Sequence, residues 1–162
     1  MRNPSLVDEN LKNCVIEQAL AGDVIGARQT ISEMGNPRYQ REAWIAILGI
    51  QRNRKDVQGI KDTIVACPDH SLLHCISYHH LPLDISRAGD VCGAMEIAYT
   101  LGDDGEFSLL MIPFGLALKG DFVGMREAVS CIEDEATRHR ILNTVDELLR
   151  QKQNNEPKDS HS

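Results

Sequence analysis

The chain has 162 residues, of which 42% are hydrophobic and 25% charged, and its 24 acidic and 17 basic residues give a formal net charge of −7. A chain of this size and composition can bury a hydrophobic core and is typical of a globular domain rather than a disordered segment. The acidic balance argues against a nucleic-acid binder, which needs clustered Lys and Arg side chains to neutralise phosphates.

The predicted first helix, residues 11–20, leads into the stretch AGDVIGA at 21–27, and this stretch returns along the chain. Its copies are RKDVQGI at 54–60, AGDVCGA at 88–94 and KGDFVGM at 119–125, so that the aspartates are 33, 34 and 31 residues apart. Four copies at a near-constant spacing are the signature of a repeat architecture.

Each copy lies between two segments whose apolar residues recur at three- and four-residue intervals, the pattern of an amphipathic helix. The predicted first helices are 11–20, 41–50, 72–85 and 107–118, and the predicted second helices are 24–34, 57–65, 91–101 and 122–132. Ile141, Val145 and Leu148 mark a last helix that would cap the stack, and residues 151–162 have almost nothing to bury, which predicts a disordered tail. The sequence therefore predicts an all-α fold, an α-solenoid of about four antiparallel helix pairs in one domain over residues 1–150.

The residues of the repeated stretch suit a joint between two helices. Gly22, Gly89 and Gly120 can take the left-handed backbone that ends a helix, and the aspartate that follows each can cap the next helix. A second glycine of each copy falls in the first turn of the next helix, where glycine costs about 1 kcal/mol relative to alanine. We attribute this glycine to a close approach of two helix backbones. A phosphate-binding loop would require a lysine, a Ser or Thr and a preceding strand, which the pattern lacks.

This Gly-Asp joint resembles that of the tetratricopeptide repeat (TPR) and of related bacterial helical repeats. The second unit, NPRYQREAWIAIL followed by RKDVQGIKDTIVACP, carries the resemblance: Trp44 and Ile47 match apolar positions of the family's first helix, and Ile64 and Cys67 match those of its second helix. The resemblance covers residues 8–135. It implies that the first helix of each pair lines a concave face.

On that face the first two units place mostly polar residues, and the last two place mostly apolar ones. The candidate partner-binding residues are Ile76, His79, Leu83, Phe107, Leu110 and Phe114. An exposed apolar strip of this kind would recognise an amphipathic helix or an extended peptide of a partner protein. The C-terminal helix or a second copy of the chain, as a homodimer, could cover the strip instead, and the sequence leaves these alternatives open. The predicted function is a protein-interaction module of the adaptor, scaffold or chaperone-like kind.

Two alternative functions have weaker support. A helical-repeat RNA binder would need a base-reading polar residue in each repeat and a basic face, and the sequence contains neither. A metal-dependent enzyme could use His70, His74, His79 and His80, with Cys67 one turn before the first of them. The second pair of close ligands that a zinc site usually needs is missing. We expect no enzymatic activity, no catalytic residue, no metal and no cofactor.

The remaining expectations concern the surroundings of the protein. The first residues contain no apolar stretch like that of a signal peptide, and no run approaches the roughly 20 apolar residues of a membrane span. The five cysteines are odd in number and contain no C-x-x-C pair. We therefore expect reduced thiols, buried as small apolar side chains, in a cytoplasmic protein that binds neither membranes nor nucleic acid.

Overall fold

A computed structural model describes residues 3–68 and 80–155 of the chain. All regular elements within these residues are helices, and these residues contain no strand. The all-α class is therefore confirmed for the described residues. The chain divides into two compact units, residues 1–81 and 82–162. The repeat spacing does not reveal this division, because it is near-constant across the boundary.

The N-terminal unit contains α1 (Pro4–Leu20), α2 (Val24–Ser32), α3 (Pro37–Asn53) and α4 (Val57–Ala66). α1 packs on α2 and α3, and α3 packs on α2 and α4. The core of this unit is mostly aliphatic and includes the single tryptophan; its members include Val15, Ala27, Ile31, Trp44, Ile47, Ile60 and Ile64. α3 begins four residues before the predicted helix 41–50, because the side chain of Asn36 caps it by accepting a hydrogen bond from the N–H of Arg38 and a proline occupies the first turn.

The C-terminal unit contains most of α5 (Leu81–Arg87), followed by α6 (Val91–Thr100), a 3₁₀ turn (Gly102–Gly105), α7 (Glu106–Leu118), α8 (Phe122–Ser130) and α9 (Glu135–Asn155). α7 is the central helix of this unit, since it packs on α6, α8 and α9. The core is again aliphatic and includes Met95, Ile97, Leu109, Ile112, Val129, Ile132, Ile141 and Val145.

α9 corrects the predicted C-terminal tail. Ile141 and Val145 are completely buried, as the apolar spacing predicts. The helix nevertheless continues to Asn155, so residues 151–155 form its exposed last turn rather than the start of a disordered tail. Gln151 and Lys152 are good helix formers and can prolong a helix that is anchored by its earlier turns.

The four predicted joints share one backbone geometry. In each joint the backbone N–H of the aspartate donates to the carbonyl of the residue five positions earlier. The N–H of the residue just before the aspartate donates to the carbonyl of the residue three positions before that donor. These two hydrogen bonds define the Schellman motif that ends a helix. The residue just before the aspartate has a positive φ in every joint. It is a glycine in three joints, as predicted (Gly22, Gly89 and Gly120), and it is Lys55, with a φ of 56°, in the second joint.

The same aspartates begin the second helices. Oδ1 of Asp23 accepts the N–H of Gly26 at 2.9 Å, and Oδ1 of Asp121 accepts the N–H of Gly124 at 2.8 Å. Asp56 and Asp90 make the equivalent bonds at 2.9 and 2.8 Å. The predicted caps are thus confirmed at all four joints, and each aspartate both ends one helix and starts the next.

The explanation predicted for the second glycine is wrong at three of the four joints. A Cβ atom added to Gly26, Gly59 or Gly124 would overlap Oδ2 of the capping aspartate three residues earlier, not the backbone of another helix. In the observed rotamer the carboxylate leaves no room for a Cβ atom at this position, so a larger residue would require the capping side chain to move.

Candidate partner-binding site

α7 carries three of the six residues that the sequence predicts for partner binding. Phe107 is 60% exposed, and Leu110 and Phe114 are half-buried. Their spacing of three and four residues places them on one side of the helix. Met111, one turn after Phe107, is half-buried as well. We call Phe107, Leu110, Met111 and Phe114 the apolar strip of α7.

The other side of α7 faces the core of the C-terminal unit. Ser108, Leu109 and Ile112 are buried there. α7 is therefore apolar on both sides, which is typical of a helix whose outer side also meets a partner or another segment. The repeat register does not select Met111, because it assigns one residue per turn of each first helix to the concave face. The spacing of Met111 from Phe107 and Phe114 is the signal that identifies it.

Two contacts fix the beginning of α7. The guanidinium of Arg140 on α9 forms an ion pair with the carboxylate of Glu106, and its Nη2 donates to Oε2 at 3.1 Å. Gly105, just before α7, lies so close to α6 that an added Cβ atom would overlap the carbonyl oxygen of Ala98. The exposed Phe107 is thus held by a rigid start of its helix.

Leu83, a fourth predicted binding residue, is half-buried on α5. Ile76 and His79 lie outside the described residues. The apolar strip of α7 and Leu83 are therefore the described part of the predicted site.

The histidine cluster is largely outside the described residues, since His70, His74 and His79 fall between 69 and 79. His80 is exposed, and Cys67, which matches an apolar position of the repeat, is buried. Within residues 3–68 and 80–155, no three His, Cys, Asp or Glu side chains are grouped so that they could hold a metal ion.

Two of the four described cysteines contradict the expectation of free, buried thiols. Cys92 and Cys131 form a disulfide, although they are 39 residues apart in sequence. Cys92 is exposed and Cys131 half-buried. Cys14 is free but exposed, and Cys67 is buried. The sequence could not reveal the pairing, because the packing of α6 and α8 brings the two residues together.

Charge is distributed unevenly between the two units. Residues 1–81 contain nine acidic and nine basic residues, whereas residues 82–162 contain fifteen acidic and eight basic ones. The whole net charge of −7 thus belongs to the half of the chain that carries the apolar strip. A ligand that approaches this unit meets a negative potential.

None of the described helices combines the length and the apolar character needed to cross a bilayer. No family model, no curated protein and no solved structure matches this chain.

Proposed function

We propose that this protein is a protein-interaction module, which binds an amphipathic helix of a partner along the apolar strip of α7. The observation that carries the proposal is the 60% exposure of Phe107 at one end of a strip that continues through Leu110 and Phe114. Contiguous large apolar side chains at a surface are typical of recognition sites, because their burial stabilises the complex.

The dimensions of the strip suit a helical ligand. Phe107 and Phe114 are two turns apart, which corresponds to roughly 10 Å along the helix axis. A partner helix with apolar residues at positions i, i+3, i+4 and i+7 presents a matching row of anchors. The rigid start of α7 favours affinity, because less conformational entropy is lost when the ligand binds.

We infer further that the helices form tetratricopeptide-like antiparallel pairs within an α-solenoid. The support for this arrangement is the same Schellman joint and aspartate cap at four places along the chain. In such a solenoid α7 is the first helix of the fourth pair, and its strip belongs to the concave face.

A designed peptide tests the binding proposal directly. The probe is a fluorescently labelled amphipathic helix with leucines at i, i+3, i+4 and i+7 and with lysines on its other side. We expect anisotropy titrations to give saturable binding, and we expect the double substitution Phe107→Asp and Phe114→Asp to weaken it by at least about tenfold, equivalent to 1.4 kcal/mol. Circular dichroism checks that the helical content is retained.

Phe122→Asp is the matched control. Phe122 lies on α8, outside the strip, and is 49% exposed, so Phe122→Asp makes at another exposed phenylalanine the same change that Phe107→Asp makes within the strip. Binding should survive this change. An equal loss with Phe122→Asp, or no saturable binding of the peptide at high micromolar concentration, would contradict the proposed site.

A further inference from the structure

The disulfide between Cys92 and Cys131 is accessible to small molecules. Cys92 is the second residue of α6, and Cys131 directly follows α8. Their Cα atoms are 5.5 Å apart, close to the most common separation in protein disulfides. Because Cys92 is exposed and Cys131 only half-buried, an incoming thiol can reach the bond without unfolding of the chain.

The surroundings of the disulfide are acidic. Both cysteines line a cavity of about 400 Å³, together with the carboxylate residues Asp90, Asp121 and Glu127. A fourth carboxylate, that of Glu96, places Oε1 at 3.8 Å from Sγ of Cys92. None of the described residues that line this cavity is Lys, Arg or His.

We propose that Cys92 and Cys131 form a thiol–disulfide exchange site, whose acidic cavity favours cationic or neutral thiols over anionic ones. Carboxylates that line a cavity raise the local concentration of cations and lower that of anions. One unscreened charge pair about 4 Å apart in water contributes about 1 kcal/mol, so several carboxylates can change an exchange rate by about tenfold.

The exchange has two steps. The thiolate of a small thiol attacks Sγ of the exposed Cys92, which forms a mixed disulfide and releases Cys131 as a thiolate that takes up a proton. A second thiolate attacks the small-molecule sulfur of the mixed disulfide, which releases Cys92 and a small-molecule disulfide. The protein gains two electrons and two protons, and two small thiols are oxidised to one disulfide. The reverse reaction, with a small-molecule disulfide as oxidant, restores the bond.

Reduction affects the segment that carries the apolar strip. The disulfide closes a loop of 39 residues, and this loop contains the whole of α7. A cross-link of this length restricts the unfolded chain and thereby stabilises the folded one. The oxidised form therefore holds α7 more firmly than the reduced form. The exchange site itself does not depend on the proposed partner binding.

Reduction rates of the full-length oxidised protein test the site. The probes are cysteamine, 2-mercaptoethanol and 2-mercaptoethanesulfonate, which are cationic, neutral and anionic. Cysteines that become reduced are alkylated at intervals and assigned by peptide mass spectrometry. The reduction rate for each probe is divided by its thiolate concentration and then by the rate at which the same probe reduces a small neutral disulfide. We expect the normalised rate of cysteamine to exceed that of the sulfonate by about tenfold at low salt, and the difference to shrink at high salt.

Glu127→Gln should reduce this discrimination, because it removes one carboxylate from the cavity. Glu33→Gln, an exposed glutamate on the N-terminal unit, is the matched control and should leave the discrimination unchanged. Equal normalised rates for the three thiols would overturn the inference. A bond between Cys92 and Cys131 that resists all three thiols in the folded protein would overturn it as well.

The melting temperature supplies a second measurement. Reduction of the wild type, or the double substitution Cys92→Ser and Cys131→Ser, should lower it by about 10 °C. Cys14→Ser, which replaces an exposed free cysteine, should leave the difference between oxidised and reduced protein intact. Identical melting temperatures for both redox states would show that the bond does not secure the segment around α7.

Discussion

The single residue that best explains the repeat is the aspartate of each joint. Asp23 donates its backbone N–H to the end of α1 and accepts the N–H of Gly26 at the start of α2. Its carboxylate also occupies the space where residue 26 would carry a Cβ atom. Aspartate and glycine are therefore coupled, which explains why both recur although glycine weakens a helix.

A double-mutant cycle measures this coupling. Gly26→Ala adds about 1 kcal/mol of helix propensity but displaces the cap, which is worth about 1 kcal/mol, so we expect little net change in the free energy of unfolding. In an Asp23→Ala background the same substitution should stabilise the protein by about 1 kcal/mol, because no cap remains to be displaced. Urea denaturation of the four proteins gives the coupling energy.

Gly49→Ala is the control for this cycle. Gly49 lies inside α3, and an added Cβ atom would meet no heavy atom within 4 Å. Alanine at this position should stabilise the wild type by about 0.5–1 kcal/mol. If Gly26→Ala were equally stabilising in the presence of Asp23, the proposed conflict between carboxylate and Cβ would be absent.

The pKa of the Glu42 carboxylate provides a second test that concerns single residues. The hydrogen bond from Nζ of Lys12 at 2.8 Å, followed by that from Nε of Arg38 at 3.0 Å, lowers the pKa of Glu42. A lowered folded-state pKa contributes stability above the unfolded pKa, near pH 4, and this contribution is lost as the pH falls through the folded value. We expect Lys12→Met to raise the pKa of Glu42 more than Arg38→Met does, as measured by NMR titration. The opposite order would show that Arg38 is the main partner.

A close contact between two secondary-structure elements joins the 3₁₀ turn before α7 to α6. An added Cβ atom at Gly105 would overlap the carbonyl oxygen of Ala98, so the turn and α6 would have to move apart. We expect Gly105→Ala to destabilise the protein by about 2–3 kcal/mol in urea denaturation. Gly115→Ala within α7, where a Cβ atom would meet nothing within 4 Å, is the control and should be neutral or stabilising. A neutral Gly105→Ala would disprove the tight contact.

These elements also show what the sequence could and could not predict. The joints were predictable because the Schellman bonds and the caps link residues only three to five positions apart. The repeat register places Phe107, Leu110 and Phe114 on one side of α7, where Phe107 is exposed and the other two are half-buried. The contact of Gly105 with α6 could not be predicted, because it depends on which group packing brings opposite the glycine.

The same reason applies to the disulfide. Cys92 and Cys131 occupy unrelated positions in the sequence pattern and meet only through the packing of the helices. Sequence periodicity identifies the side of a helix but not the neighbour that this side meets.

For the whole molecule, the two units differ in charge and each buries its own aliphatic core. Because each unit has its own core, a local destabilisation can unfold one part of the chain before another. Trp44, the only tryptophan, is 4% exposed in the core of the N-terminal unit and therefore reports on that unit by fluorescence. Far-UV circular dichroism reports on the helices of both units.

We expect Gly105→Ala to lower the denaturation midpoint detected by circular dichroism while leaving the midpoint of Trp44 fluorescence unchanged, because the substituted contact lies wholly within the C-terminal unit. Ile47→Val, a cavity-forming change at a completely buried position of α3, should shift the fluorescence midpoint, at a cost of about 1 kcal/mol, together with the part of the circular-dichroism signal that comes from the N-terminal unit. If Gly105→Ala shifted the fluorescence midpoint as much as the circular-dichroism midpoint, the two units would unfold as one cooperative structure, which would contradict this prediction.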